Sequence, residues 1–296
     1  STDAYQTAWV VFGLATTAEA GYEVDAGVIA RGVDWLTPRL DAMDPRTRAY
    51  ALYSMAVAGS PHLAASQALA ADFESLDTFS QAGLALALHA AGDVETAARI
   101  VAHLAATVTA REGLAHWGGA AQDGYYAQKA MASDTRSTAL ALSAFTRIAP
   151  EHPLIPGIVR WLMSQRRTSG WGSTNETAFS IIALTDHLVA TSYSEAAAST
   201  SYTVTLNGAP LSGGALGRGA PAVVLEIPRS QLRAGQNALA LSHDGTSPLY
   251  YVITRRIYLA QSAIEAAGDV AVTRAYRDPA TGETVDAVAP GQLVEV

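Results

Sequence analysis

Hydrophobic positions recur at helical spacing in the first two thirds of the chain and at alternate positions in the last third. Up to about residue 195, alanine and leucine predominate, and glycine, proline, serine and aspartate fall at breaks between apolar stretches. Such a pattern is typical of helices with caps and stops. Beyond it, runs of valine, threonine, leucine and tyrosine are separated by turn sequences. This second pattern predicts strands.

The helical stretch predicts nine helices. Residues with helix-capping side chains or prolines mark their starts, because a side-chain oxygen can accept a hydrogen bond from the first free backbone N–H groups. The predicted helices begin near Asp3, Asp25, Asp44, His62, Asp77, Asp93, Ser133, Pro153 and Ser173. Between the sixth and the seventh, residues 110–132 are predicted to form a long loop.

Two kinds of helix alternate along this stretch, at an interval of roughly 35–40 residues that is typical of helical-hairpin arrays. Every second helix carries small residues beside apolar ones, such as Thr7-Ala8, Ala82-Gly83 and Thr138-Ala139. Small residues allow helices to crowd a common axis while their partners form an outer layer. The pattern predicts an α/α toroid or solenoid arc. Nine helices make four and a half hairpins of a six-hairpin ring, so the array is expected to be short at its N-terminal side, with an apolar face exposed there.

The last third predicts an antiparallel sheet. Residues 202–206 alternate and run into Asn207-Gly208, a strong hairpin signal. Further strands are predicted at residues 222–227, 237–242, 249–260, 270–276 and 292–296, with a turn at 278–282. The predicted fold class is therefore α+β and multidomain, with an incomplete α/α toroid of helical hairpins followed by an antiparallel β-sandwich segment.

Composition excludes several kinds of function. The formal net charge is −8, the only lysine is Lys129, and no basic run is present, so nucleic-acid binding is not expected. No apolar run reaches the length of a membrane span. The chain contains no cysteine, which excludes disulfides, thiolate metal ligands and a cysteine nucleophile within these residues.

Four carboxylates are the first candidates for chemistry. Asp3, Asp44, Asp134 and Glu176 would meet at one end of the ring, because the inner helices run parallel. A pair of them could supply the acid and the base of a glycosidase, which needs two carboxyl groups at a set separation. Every inner helix has such a residue at its start, however, so helix capping is the favoured interpretation.

The second candidate lies in the predicted long loop. His116 and Trp117, with Tyr125 and Tyr126 further along, could form a general base or a stacking platform for a ligand. No partner residues stand at useful spacing, and a structural wedge is favoured. Trp161 and Trp171 are interpreted as hairpin packing, and the remaining histidines lack metal-ligand spacing. No catalytic, cofactor-binding or metal-binding residue is predicted.

Five segments, in order along the chain, resemble bacterial α2-macroglobulins, protease traps related to complement proteins. They are Glu19-Ala-Gly-Tyr-Glu-Val-Asp25, Arg48-Ala-Tyr-Ala-Leu52, Val159-Arg-Trp-Leu162, Trp171-Gly-Ser-Thr174 with Glu176-Thr-Ala178, and Pro248-Leu-Tyr-Tyr251. The resemblance implies that residues 1–195 are the C-terminal part of a thioester-type toroid. It also implies half of a CUB-like sandwich over 196–265 and the first strands of a C-terminal macroglobulin-like domain over 266–296.

The resemblance further implies a non-catalytic fragment of a broad-spectrum endopeptidase inhibitor. The family's Cys-Gly-Glu-Gln thioester segment is absent, which implies either a fragment or a relative without a thioester. Implied partners are proteases, through the full-length protein, and neighbouring macroglobulin domains of the same chain. The implied location is the periplasm or cell envelope, with a role in host defence, and no cofactor is implied.

Two other classes stay open. An α/α-barrel enzyme, such as a terpenoid cyclase, a prenyltransferase or the glycosidase above, could share the ring. The cyclase motif Asp-x-Asp-Asp is absent, and a zinc prenyltransferase would lack its cysteine ligand. A scaffold or binding module that grips a partner helix is the third possibility.

Overall fold

The computed structural model describes residues 3–118, 132–167, 170–191, 199–217, 221–244, 249, 251–255, 257, 273–289 and 291–296. The chain divides into two compact units, residues 1–252 and residues 253–296. The first unit contains every helix and strand described below. The division of the chain into residues 1–195, 196–265 and 266–296 stays a prediction.

Nine α-helices are present in the described residues, as the sequence predicts. They are α1 (Ala4–Glu19), α2 (Ala26–Leu36), α3 (Pro45–Val57), α4 (Leu63–Ala70), α5 (Thr78–Ala90), α6 (Val94–Thr107), α7 (Asp134–Ile148), α8 (Ile155–Ser164) and α9 (Thr174–Ala190). The fourth is predicted to run from His62 to about residue 73, but it ends at Ala70 and is followed by a 3₁₀ turn at Phe73–Ser75. A second 3₁₀ segment, Thr37–Ala42, continues α2.

The helices form an inner and an outer layer. Helices α1, α3, α5, α7 and α9 pack side by side in chain order, while α2, α4, α6 and α8 pack against the outside of this row. The middle helices α3, α5 and α7 are buried nearly all round, and in α5 every residue from Phe79 to Leu88 is buried. Helices α1 and α9, at the two ends of the row, have four buried residues each. A helix that is buried on all sides has neighbours on all sides. The predicted toroid of helical hairpins is confirmed.

Aromatic rings fill the space between the inner helices. The central aromatic cluster consists of Tyr5, Trp9, Phe12, Tyr50, Tyr53, Phe79 and Phe179, whose neighbouring ring centroids lie 5.1 to 6.5 Å apart. Phe179 of α9 lies 5.4 Å from Phe12 of α1 and 5.3 Å from Phe79 of α5. Side chains therefore join the first and the last inner helix of the row across its axis.

Part of the predicted long loop is a β-hairpin. Strands β1 (Thr109–Arg111) and β2 (Leu114–His116) pair antiparallel around Glu112 and Gly113, both with positive φ. Two left-handed residues make the tight turn that matches the twist of a hairpin. The sequence analysis missed this hairpin because its strands have only three residues each. The rest of the predicted loop lies largely outside the described residues.

A three-stranded antiparallel sheet follows the helices. Strands β3 (Ser199–Leu206), β4 (Ala209–Gly217) and β5 (Leu239–His243) are arranged in the order β4-β3-β5. The predicted Asn207-Gly208 turn connects β3 to β4, with Leu206 paired to Ala209. The predicted fold class, α+β and multidomain, is confirmed, with this sheet as the described part of the predicted sandwich.

Four of the strand predictions, at 222–227, 249–260, 270–276 and 292–296, are wrong over the described residues, where the last has only an isolated bridge at Glu295. Residues 222–227 form no strand, although five of the six are apolar, and neither do the described residues of 249–260. Their apolar side chains are exposed, as Val224 at 81% and Val252 at 65% illustrate. An alternating pattern becomes a strand only where a neighbouring strand supplies hydrogen-bond partners. No neighbouring strand pairs with these segments within the described parts of the chain.

The second unit is described only near the C-terminus. Arg277 forms isolated antiparallel bridges to Thr284 and to Glu295. The predicted turn at 278–282 is present, with the N–H of Gly282 donating to the carbonyl of Asp278 at 2.7 Å. Of the strand predicted at 270–276, residues 273–276 are described and are not in a strand.

Two glycines test how closely helices α1 and α2, the first helical hairpin, pack against each other. A Cβ at Gly32 of α2 would lie 2.4 Å from Cγ2 of Val11 in α1. Val11 is buried and β-branched, so it cannot easily turn away. We expect Gly32→Ala to lower the free energy of unfolding by about 1–3 kcal/mol, despite the better helix propensity of alanine.

The matched control is Gly13 of α1, where a Cβ would meet nothing within 4 Å. Gly13→Ala should raise the free energy of unfolding by about 0.5–1 kcal/mol. Urea unfolding followed by far-UV circular dichroism measures both. A stabilising effect of Gly32→Ala would contradict the packing of α1 on α2.

Candidate functional site

The candidate carboxylates lie at the starts of inner helices. An oxygen of Asp3 accepts a hydrogen bond from the N–H of Gln6, and Asp44 accepts from Arg46 and Thr47. The caps of α7 and α9 are Ser133 and Ser173, which place Asp134 and Glu176 in the first turns of those helices. The capping interpretation is confirmed for Asp3 and Asp44, whose carboxylates accept from backbone donors. For Asp134 and Glu176 it is wrong, because the neighbouring serines are the caps; these two carboxylates lie in the first turns, where they complement the helix dipole.

Trp117 anchors the β1–β2 hairpin to the helices. It is 3% exposed, and its indole Nε1–H donates to the carbonyl of Leu104 in α6 at 2.9 Å. Its backbone N–H donates to the hydroxyl of Thr138 in α7 at 3.2 Å. Its ring lies 5.8 Å from that of Phe145, also in α7. Trp117 is therefore a wedge between two hairpins of the array, as the structural interpretation predicts.

His116 stacks on an aromatic ring. Its imidazole lies parallel to the ring of Trp161 in α8, with centroids 4.6 Å apart. The predicted neighbours Tyr125 and Tyr126 lie outside the described residues. The structure thus brings together two candidates that are far apart in sequence, but it gives His116 a stacking partner rather than a catalytic one.

A shallow groove of about 250 Å³ adjoins this hairpin. It is lined by residues 110–115 together with Pro153, Leu154, Gly157 and Arg160. The guanidinium of Arg160 donates to the carbonyl of Gly113 at 2.6 and 2.9 Å. A Cβ at Gly157 would lie 3.2 Å from Cβ of Ala115, so the hairpin sits close on α8. These contacts hold the hairpin in place.

At the joint between α8 and α9, the contacts of Trp171 agree with its interpretation as hairpin packing. The indole of Trp171 donates to the carbonyl of Leu162 at 2.7 Å, and its backbone N–H donates to the hydroxyl of Thr177 at 2.9 Å. Gly170 has a φ of 129°, which favours glycine at this position. Trp171 therefore ties the end of one helix to the start of the next.

One buried cation lies at the axis, and the sequence analysis missed it. Arg136 of α7 is 2% exposed, and its guanidinium carbon lies 4.0 Å above the ring of Phe79. Its Nη1 donates to the hydroxyl of Tyr5 at 3.2 Å. In the sequence it belongs to the polar first turn Asp-Thr-Arg-Ser, where arginine is expected to face solvent. Arg136 is buried because Tyr5 of α1 and Phe79 of α5 lie against it in the folded protein.

A second polar contact joins α7 to α9. Arg147 donates to both carboxylate oxygens of Asp186, at 3.0 and 3.1 Å, and Ser143 donates to the same carboxylate at 3.2 Å. The pair is only partly exposed, and a single guanidinium nitrogen, Nη2 of Arg147, donates to both oxygens in a charge-assisted contact. It fixes the relative rotation of the last two inner helices.

Burial perturbs two tyrosines of the central aromatic cluster. It raises the pKa of Tyr50 and of Tyr53 well above the ordinary value of about 10. A phenol whose folded-state pKa is raised contributes stability below its unfolded pKa, and the contribution is lost as the pH rises above it. We expect the helical unit, by which we mean helices α1 to α9, to unfold at alkaline pH, beginning at about pH 10.

The double change Tyr50→Phe and Tyr53→Phe should shift this alkaline transition to higher pH, because no phenol then has to ionise. Tyr22→Phe is the control, since Tyr22 is exposed. Far-UV circular dichroism along a pH titration measures the midpoint. The same midpoint in the wild type and the double variant would contradict the role of these two phenols.

Across the described parts of the chain, no three histidine, cysteine, aspartate or glutamate side chains group as a metal site would require. No helix there is long and apolar enough to cross a membrane. These features have a structural role in the described residues. The caps, the aromatic contacts and the side chains of Arg136 and Arg147 hold the inner helices together.

Comparison with known proteins agrees with this arrangement. Residues 64–187 match the family model described as the A-macroglobulin TED domain. This match confirms the predicted resemblance over helices α4 to α9. No curated protein matches the chain by sequence.

Solved bacterial structures share the fold. The native cryo-EM form of E. coli α2-macroglobulin is 18% identical, with a TM-score of 0.52 over 73% of this chain and 13% of that one. The elastase-activated E. coli protein is 18% identical, with a TM-score of 0.51 over 83% of this chain and 21% of that one. Methylamine-reacted Salmonella α2-macroglobulin is 21% identical, with a TM-score of 0.50 over 73% and 14%. The chain spans between 13% and 21% of their length.

Proposed function

Because residues 64–187 match the family model described as the A-macroglobulin TED domain, we propose that this chain is part of a bacterial α2-macroglobulin-like protein that inhibits endopeptidases by trapping them. The observation that supports this proposal most directly is the match to the TED-domain family model. The toroid provides a rigid body whose surface can move as a unit when neighbouring domains rearrange. Its partners would be proteases, together with macroglobulin domains of the same protein.

The chain itself takes no covalent part in trapping in this proposal. Family members that react with a protease do so through a thioester, which needs a cysteine thiol. The chain contains none. It would therefore serve as the non-catalytic support of the toroid, and any thioester would come from elsewhere in the protein.

We propose three segments for this part of the protein: a toroid over residues 1–195, a CUB-like half-sandwich over 196–265 and the start of a macroglobulin-like domain over 266–296. Exposed apolar side chains support the half-sandwich. Val223, Val224 and Leu225 precede β5 in the chain and face solvent. A run of this kind favours burial against further strands. Limited proteolysis should cut first between the toroid and the sheet, near residue 195.

The test of trapping uses the full-length protein. We expect it, at molar excess, to block the hydrolysis of a large protein substrate by trypsin-like and elastase-like proteases. Hydrolysis of a small peptide substrate should continue, because a trapped protease keeps its active site. The present chain alone should inhibit neither reaction. Equal hydrolysis of the large substrate with and without the full-length protein would contradict the proposal.

Location and defence are part of the same proposal. A protease trap is useful where foreign proteases arrive, which favours the periplasm or cell envelope. Fractionation of cells with an antibody against residues 1–195 tests this location. Detection in the cytosolic fraction alone would contradict it.

A further inference from the structure

The turn between β3 and β4 contains the only Asn-Gly pair of the chain. Asn207 and Gly208 have φ values of 53° and 82°, the left-handed conformation that a two-residue hairpin turn needs. Asn-Gly is also the dipeptide most prone to deamidation, because glycine has no side chain to hinder attack by its own backbone nitrogen. The turn therefore combines a structural requirement with a chemical weakness.

The side-chain amide of Asn207 is held at both ends. Its Oδ1 accepts a hydrogen bond from the N–H of Ala238 at 2.9 Å, and its Nδ2 donates to Oδ1 of Asn237 at 2.9 Å. The backbone N–H of Asn207 donates to the carbonyl of Ala238 at 2.7 Å. We call this set of contacts the Asn207–Asn237 lock. It connects the β3–β4 turn to the start of β5.

Asn237 holds the preceding turn in the same way. Its Oδ1 also accepts from the N–H of Arg233 at 2.9 Å, and its Nδ2 donates to the carbonyls of Arg233 at 3.0 Å and Gly235 at 3.2 Å. All donors and the acceptor of this amide are engaged. The orientation of Asn237 is therefore fixed, because a flipped amide would lose these contacts.

We propose that Asn207 is a deamidation site whose rate is set by the Asn207–Asn237 lock and whose reaction opens the turn at residues 233–237. The backbone nitrogen of Gly208 forms a bond to Cγ of Asn207, and the Cγ–Nδ2 bond breaks. Ammonia leaves with the proton from the Gly208 N–H, delivered through solvent. Water then opens the succinimide at either carbonyl, giving aspartate or isoaspartate.

The Asn207–Asn237 lock slows the attack of the Gly208 nitrogen on Cγ of Asn207. It is lost once the succinimide has been hydrolysed. Attack requires Cγ of Asn207 to swing towards Gly208, which breaks the hydrogen bonds to Asn237 and Ala238. The product carries a carboxylate, which cannot donate to Oδ1 of Asn237. Asn237 cannot turn its amide group to meet the carboxylate without releasing Arg233 and Gly235. The modification therefore replaces an attractive contact with a repulsive one.

The experiment follows deamidation of the intact chain at mildly alkaline pH by peptide mapping and mass spectrometry. In the folded wild type we expect Asn207 to react at least about tenfold more slowly than in the urea-unfolded chain, because two hydrogen bonds must break. Asn237→Ala should bring the folded-state rate to within about threefold of the unfolded one. Asn237→Asp keeps the acceptor for Asn207 but loses the donors to Arg233 and Gly235, so its rate should lie between those of the wild type and Asn237→Ala.

Two results would overturn the proposal: equal rates in the folded and unfolded wild type, or an Asn237→Ala rate equal to that of the folded wild type. Asn175, which precedes glutamate, serves as the internal reference in every digest. A second measurement does not depend on the folding of Asn237→Ala. In Asn207→Asp, trypsin should cleave after Arg233 about tenfold faster than in the wild type, relative to cleavage after Arg166. Unchanged cleavage after Arg233 would also overturn the proposal.

Discussion

Replacing Phe179 with alanine is expected to lower the free energy of unfolding of the helical unit by about 3–5 kcal/mol. Phe179 is 2% exposed, and its ring contacts those of Trp9, Phe12 and Phe79. The cavity would open between the first and the last inner helix, where the row has few other contacts to compensate. Urea unfolding followed by far-UV circular dichroism measures the loss.

The matched control lies two residues further along the same helix. Ile181 is 53% exposed, so Ile181→Ala should change the free energy of unfolding by no more than about 0.5 kcal/mol. If Phe179→Ala cost no more than Ile181→Ala, the aromatic connection between α1 and α9 would not contribute to stability. Both variants keep the predicted helix, so the comparison isolates burial.

The second large effect is expected at Trp117. Trp117→Ala should destabilise the helical unit by about 3–5 kcal/mol, because it removes a buried ring and leaves the carbonyl of Leu104 without its indole donor. The β1–β2 hairpin should detach from α6 and α7 as a consequence. Hydrogen exchange of the amides in β1 and β2 measures that detachment, and urea unfolding measures the stability.

Two variants separate the ring from its hydrogen bond and from the neighbouring histidine. Trp117→Phe keeps most of the ring and should cost about 1–3 kcal/mol. His116→Ala removes a half-buried ring that stacks on Trp161 and should cost less than Trp117→Ala. A larger loss for His116→Ala than for Trp117→Ala would identify the histidine as the anchor instead.

The candidate residues show where pattern analysis succeeds. Asp3 and Asp44 were interpreted as caps because the physical requirement is local: the free N–H groups lie within three residues of the carboxylate. The Trp171 joint and the Asn207-Gly208 turn are local in the same sense. Small residues beside apolar ones, as at Ala82-Gly83, likewise indicated which helices are inner, because small side chains allow helices to crowd a common axis.

Long-range contacts could not be predicted in this way. Arg136 belongs to a polar turn in the sequence and is buried only because Tyr5 and Phe79 come from other helices. Residues 222–227 have a composition typical of a strand, but among the described residues no strand lies beside them and no ladder forms. The stack of His116 on Trp161 joins residues of β2 and α8 that lie far apart in the sequence.

The sequence by itself determined the helices of this protein, their caps, their alternation in two layers and the tight turn of the sheet. Each of these depends on interactions within a few residues or on a simple periodicity. The tertiary structure alone decided that Phe179 meets Phe12, that Arg136 is buried at the axis and that Asn237 holds Asn207. Those contacts depend on how separate elements pack in space, and residue pattern along one element carries no information about its distant neighbours.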